Sequence, residues 1–184
     1  FGMGARRKLM TRYECPDHAR FLTFSCFRRH PLFGDDWTKG IFVDALGARR
    51  ARCGFHLIAW VLMPEHVHLL LWPKLPEYPV SKILWGLKRD VARRAIAGLR
   101  DQESPMLDRI LNTRGQPQFW QRGGGYDRNI FGDDELREKI DYINLNPVRR
   151  GLVERAEDWA WSSARWYAGE DRGGVSIDPV CRPG

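Results

Sequence analysis

Two histidines, His66 and His68, stand one residue apart in MPEHVHLLLWP, one of the most apolar stretches of the chain. In an extended strand, successive side chains alternate faces. His66, His68, Leu70 and Trp72 then share one face, and Val67, Leu69 and Leu71 share the other. The imidazoles would stand side by side, roughly 7 Å apart at Cα, a spacing from which two nitrogens can converge on one metal ion. A pair of core histidines that satisfy each other or a backbone carbonyl fits the same pattern. Glu65 reads as a turn residue, and His56 as a strand histidine facing the other way.

A second constellation lies in DDELREKIDYINLNPVRRG. Capping aspartates open it, and Asn-Pro and a later Gly close it, so it reads as a helix with Leu136, Ile140 and Ile143 as its buried stripe. Tyr142 and Asn146 lie about 40° apart on the helical wheel and flank that stripe. Tyr142 can lean on the core while presenting its hydroxyl at the edge, and Pro147 is expected to end the helix close to Asn146. A tyrosine in this place can equally be an interhelical packing residue. Tyr126, after three glycines, is the rival tyrosine, on a stretch where it can be exposed.

The elements that must carry these residues follow in order. ARFLTFSCFRR alternates Leu22, Phe24 and Cys26 against Phe21, Thr23 and Ser25, and reads as the first strand. After the turn signal HPLFGDD, Asp35 or Asp36 caps a helix that carries Ile41, Phe42, Ala45 and Leu46 and ends near Gly54. FHLIAWVLM is a second strand, and the break at Pro64-Glu65 makes it an antiparallel hairpin with the histidine strand. From Val80 to about Leu99 the apolar residues keep a helical period beneath a basic exterior. LNTRGQPQFWQRGGGYDRN reads as a glycine-rich loop, and EDWAWSSARWYAGE as a short helix or turn bearing Trp159, Trp161 and Trp166. No Gly-Lys-Ser/Thr follows the triple glycine, so it is not a phosphate-cradling P-loop. The order strand, helix, strand, strand, helix, then a later strand candidate and a helix, matches the split βαβ pattern of an α+β ferredoxin-like sandwich, with an antiparallel central sheet carrying the H-x-H strand.

At 184 residues and 43% hydrophobic, the chain is long enough for one compact core and short for two. We expect a flexible basic segment over 1–18, a single domain over 19–168 and an irregular tail over 169–184. No apolar run approaches the roughly 20 residues of a membrane span, and a cytoplasmic protein without membrane contact is expected. Cys15, Cys26, Cys53 and Cys181 show no C-x-x-C pairing, which suggests neither a zinc knuckle nor a disulfide framework. The net charge of +7 comes almost entirely from arginine, 24 Arg against 6 Lys. Arginine's planar fork matches phosphate oxygens two at a time, so the bias suits a polyanion partner, although GC-rich coding produces the same bias.

The H-V-H strand in VLMPEHVHLLLWP, then FWQRGGGYDRN, IDYINLNPVRRGLV and DWAWSSARWY, together resemble the REP-associated tyrosine transposases, relatives of the single-strand insertion-sequence transposases in the HUH nuclease superfamily. The resemblance runs from about Phe21 to Tyr167. It implies a ferredoxin-like fold, His66 and His68 as metal ligands, Tyr142 as a nucleophile and Asn146 as a third ligand. It also implies a divalent ion, Mg²⁺ or Mn²⁺, and single-stranded or hairpin DNA as partner, with the protein a monomer or homodimer. A free tyrosine hydroxyl with a pKa near 10 costs about 4 kcal/mol to ionise at pH 7, which is why such a nucleophile needs an assisting ion. Nitrogen ligands with an amide oxygen suit Mn²⁺ well and Mg²⁺ less obviously.

Lys88, Arg89, Arg122, Arg149 and Arg150 are the expected backbone-phosphate contacts beside this site, with Trp120 as a base-stacking residue or a core anchor. A solvated basic helix face is the competing reading for Lys88 and Arg89. Two other functions stay open on the residues alone: a nucleic-acid-binding domain without chemistry, and a metallohydrolase acting on a small phosphoester.

Overall fold

A computed structural model of the chain describes residues 18–75, 77–123, 125–170 and 174–178. Strand β1 (Ala19–Ser25) leads through a 3-10 turn (Phe27–Arg29) to helix α1 (Asp36–Cys53). The hairpin β2 (His56–Leu62) and β3 (His66–Trp72) is followed by α2 (Val80–Asp101), a short α3 (Met106–Arg109) and β4 (Tyr126–Ile130). The chain closes with α4 (Asp133–Asn144), α5 (Asn146–Arg149), a 3-10 turn (Ala156–Asp158) and α6 (Ala164–Tyr167). Of the basic segment expected over 1–18, residues 1–17 lie outside the described residues, as do Cys15 and Cys181.

The sheet has the order β2-β3-β1-β4 with every neighbouring pair antiparallel. Strand, helix, hairpin, helix and strand in that spatial order form the ferredoxin-like α+β sandwich read from the sequence. The alternation within the strands divides the core in two. Leu22, Phe24, Val67, Leu69 and Leu71 pack against α1 and α2, while Phe21, Ala59, Val61 and Leu70 pack against Leu136, Ile140 and Ile143 of α4. His66 and His68 follow Leu70 at intervals of two, so they stand on the α4 face.

Local signals explain the element ends. The Asp35 carboxylate accepts from the Thr38 N–H at 2.8 Å and caps α1, while Gly54 ends it in the left-handed region at φ 63°. Residues 161–163 cover the outer edge of β2: Leu62 N–H donates to Trp161 O, Ser163 N–H to Trp60 O, and Trp60 N–H to Ser163 Oγ. That pairing shields an edge otherwise open to another strand.

Two expectations change. The stretch read as one glycine-rich loop ends in a strand, since Tyr126 opens β4 opposite Thr23. Gly125 permits this, because a Cβ there would lie 2.5 Å from the Thr23 carbonyl oxygen. The second change concerns Pro147: α4 does end close to Asn146, at Asn144, but a second short helix starts at once with the proline inside it. The chain bends at Leu145 and resumes as α5, with Pro147 in its first turn, where a missing N–H removes no helical hydrogen bond.

Candidate active site

The paired registers fix the centre of the α4 face. Thr23 on β1 sits opposite His68 on β3 and Tyr126 on β4, and Ser25 sits opposite His66. Thr23 Oγ1 lies 2.7 Å from His68 Nδ1, and Phe21 stacks on the His68 ring with centroids 5.6 Å apart. His66 Nδ1 lies 3.1 Å from Glu65 Oε1. An ionised carboxylate only accepts, so His66 donates from Nδ1 and keeps a lone pair on Nε2. With Thr23 Oγ1 accepting from His68 Nδ1, the second imidazole also presents a bare Nε2. The two Nε2 atoms are 3.1 Å apart.

Asn146 arrives from the start of α5 and is buried, with Nδ2 3.3 Å from His68 Nε2. Its Oδ1 is buried without a hydrogen-bond partner, and a half-turn of the carboxamide exchanges the two atoms. Two imidazole nitrogens and an orphaned amide oxygen fit a divalent ion. The two Nε2 atoms are close enough, at 3.1 Å, that one ion could take both. Among the described residues no group of three or more His, Cys, Asp and Glu side chains could hold a metal ion, which leaves the Asn146 amide oxygen as the candidate third donor beside the two imidazoles. Burial lowers the pKa of both imidazoles: His68 falls to about 3, with the charge of His66 adding to the effect, while Glu65 offsets part of the burial at His66. Both rings are therefore neutral near pH 7, so protons would compete little with a metal ion for them.

Tyr142 on α4 meets this centre edge-on. Its ring centroid is 5.3 Å from that of His68 and 5.8 Å from that of Phe21, and the Arg149 guanidinium lies 5.4 Å above it. Thr23, Arg29, His66, His68, Tyr142, Asn146, Arg149 and Arg150 line one open cavity of about 360 Å³. The structure thus brings together Tyr142, both histidines, Asn146, Arg149 and Arg150. It separates Lys88, Arg89 and Trp120 from them, because these belong to the α1–α2 side of the sheet. Lys88 Nζ lies over Phe24, and Trp120 is 8% exposed, packed on Phe24, Phe33 and Phe119, with Nε1 donating to Lys88 O at 2.8 Å. Trp120 is the core anchor rather than a stacking platform, and Arg122 is exposed and outside the cavity lining. Trp120→Ala is expected to destabilise the fold by about 3–5 kcal/mol, read as a lowered midpoint in urea unfolding.

Thr23 and Arg29 were not given a site role from the sequence, and Glu65, read there as a turn residue, also belongs to the site. Glu65 is buried, and its Oε1 accepts from Arg150 Nη1 at 2.9 Å and Arg29 Nη2 at 3.2 Å as well as from His66. Burial works to raise its pKa, but Arg150 and His66 outweigh burial and hold the carboxyl below its usual range. Glu65 is thus a positioning residue that fixes the His66 tautomer. Glu65→Gln is expected to weaken Mn²⁺ binding about 10–100-fold, measured by titrating free Mn²⁺ in electron paramagnetic resonance, whereas unchanged affinity would return Glu65 to a turn role.

The sheet order and the imidazole–amide centre define a ferredoxin-like domain with its polar site on the face opposite its two long helices. The chain belongs to the family described as "Transposase IS200 like", whose model matches residues 17–146. A REP-associated tyrosine transposase of Escherichia coli (strain K12) is 29% identical over 110 residues, 59% of this chain and 54% of its own length. A Haemophilus influenzae protein named for the same group is 28% identical over 109 residues, covering 59% of this chain and 58% of its own length. The match therefore spans little more than half of these relatives. A solved REP-associated tyrosine transposase, described as bound to a REP hairpin, superposes with a TM-score of 0.68 at 21% identity, covering 95% of this chain and 96% of the other, and shares the fold.

Proposed function

We propose that this protein nicks and rejoins single-stranded DNA at hairpin or palindromic elements through a covalent 5′-phosphotyrosine at Tyr142. The observation that carries the reading is the shared cavity: the Tyr142 ring stands beside His68, and Arg29, Arg149 and Arg150 stand at the same rim. Tyr142 Oη attacks phosphorus and forms the new O–P bond as the bond to the 3′ oxygen breaks. The phenolic proton is lost, and the departing 3′ oxygen takes one up. Arginine side chains around the cavity bind the flanking phosphates and hold the strand in register for in-line attack. His66, His68 and Asn146 would hold a divalent ion, Mn²⁺ or Mg²⁺, which supplies Lewis-acid polarisation of the phosphate and charge stabilisation when bound. The phosphotyrosine retains the energy of the phosphodiester, so a 3′-hydroxyl can reverse the attack and join strands without ATP.

A denaturing gel of protein mixed with labelled single-stranded hairpin DNA and Mn²⁺ tests this directly. An adduct that survives denaturation supports the reading. Affinity without an adduct favours a nucleic-acid-binding domain, and multiple turnover of a small phosphoester without an adduct favours a metallohydrolase. The single domain over 19–168, action as a monomer or homodimer and a place at the nucleoid belong to the same proposal. No helix among the described residues is long and apolar enough to cross a membrane.

A further inference from the structure

The helix layer on the far side of the sheet carries a second concentration of charge and aromatic surface that strand transfer does not use. Where α1 packs on α2, Arg49, Arg52, Tyr78, Lys82, Trp85 and Arg89 line a cavity of about 170 Å³. Four cations meet there, and Asp90 accepts from two of them, from Arg49 at 2.6 Å and from Arg89 at 3.0 Å. Arg49 is nine-tenths buried and its guanidinium lies against α2 at Gly86, where a Cβ would collide with it. Its Nε is buried with no hydrogen-bond partner, an arrangement that costs free energy until an acceptor arrives. Trp85 is 63% exposed, with the Arg89 guanidinium 4.5 Å from its ring centroid, and Lys82 Nζ lies 4.9 Å from the Tyr78 ring.

We infer that this cavity is a second, non-catalytic site that takes a nucleotide of single-stranded DNA, its base on Trp85 and its phosphate among Arg49, Arg52 and Lys82. Exposed tryptophan bordered by guanidinium groups is the arrangement that stacks bases without regard to sequence. Excess positive charge around a small concave volume suits one phosphate with its sugar. A duplex keeps its base faces stacked inside and offers none to Trp85, so the strand must be single. The site lies across the sheet from His66 and His68, so a strand held there is tethered to the protein without being presented to Tyr142. The inference does not depend on the strand-transfer reading.

The test uses the full chain and a fluorescein-labelled oligothymidylate of about 12 nucleotides, with binding read by anisotropy. Trp85→Ala is expected to weaken binding about 5- to 100-fold without lowering the melting temperature, since the ring is mostly in water. Arg52→Ala should flatten the log–log salt dependence by about 0.7. A bromodeoxyuridine oligomer should photo-crosslink to the peptide that holds Trp85. The inference is overturned if Trp85→Ala binds within twofold of the wild type, or if crosslinks are confined to peptides of β3, β4 and α4. Binding of thymidine monophosphate as tight as that of the oligomer would also overturn it, because neighbouring phosphates must add to the affinity of a site that holds a strand.

Discussion

Tyr142→Phe is expected to abolish the covalent protein–DNA adduct while leaving stability and hairpin affinity almost untouched. The substitution deletes the one atom of the side chain able to attack phosphorus and keeps the ring. That ring makes the edge contacts with Phe21 and His68 and lies under the Arg149 guanidinium, so the packing survives. The melting temperature should stay within a few degrees of the wild type, and binding, carried by arginine–phosphate contacts, should stay within about twofold. Denaturing gels for the adduct and anisotropy for hairpin binding separate the two effects. Loss of folding would make Tyr142 a packing residue. Persistence of the adduct would point to Tyr126, which is 49% exposed on the same sheet face and whose ring lies 5.8 Å from that of Phe21.

Much of this site could be read in the sequence because strand and helix periods are local properties. Alternation alone puts His66 and His68 on one face, and helical spacing puts Tyr142 beside the stripe of Leu136, Ile140 and Ile143. Which residues of other strands stand opposite the histidines depends on register, which those periods do not fix. Thr23 was visible as one face of β1, yet its place against His68 Nδ1 follows only from pairing Thr23 with His68. Arg29 follows in the same way, since β1 ends at Ser25 opposite His66 and the next residues must emerge over that end of the site. Glu65 lies in a turn by sequence, and nothing local says that Arg29 and Arg150 converge on it.

The same limit explains the basic residues. Lys88 and Arg89 have the composition of a phosphate track, but the sequence does not say which face of the sheet α2 covers. The structure puts them on the face away from the histidines, where Arg89 joins the Trp85 cavity instead. Trp120 misleads for a related reason, since an aromatic among arginines is the pattern both of a stacking platform and of a core anchor at the end of a loop.

His68→Ala should reduce Mn²⁺-dependent adduct formation by about 10³-fold or more, the loss of several kcal/mol of charge stabilisation. His68 is the centre of the donor set, with its Nε2 3.1 Å from that of His66 and 3.3 Å from Asn146 Nδ2, so its removal leaves no two donors in mutual contact. Asn146→Ala should behave differently. It removes one donor and leaves the imidazole pair intact, with Glu65 and Thr23 still fixing both rings. Its Mn²⁺ affinity should fall and its cleavage slow, but high Mn²⁺ should recover a slow adduct, whereas the same concentration should do little for His68→Ala. If Arg149 and Arg150 rather than the ion carry most of the binding, as proposed, hairpin affinity should remain within a few-fold in both variants. Mn²⁺ titration by electron paramagnetic resonance, hairpin anisotropy and adduct yield as a function of Mn²⁺ separate the possibilities. Hairpin affinity that falls in proportion to adduct yield would make the histidines fold residues, and equal rescue of both variants by Mn²⁺ would place the ion on donors other than these.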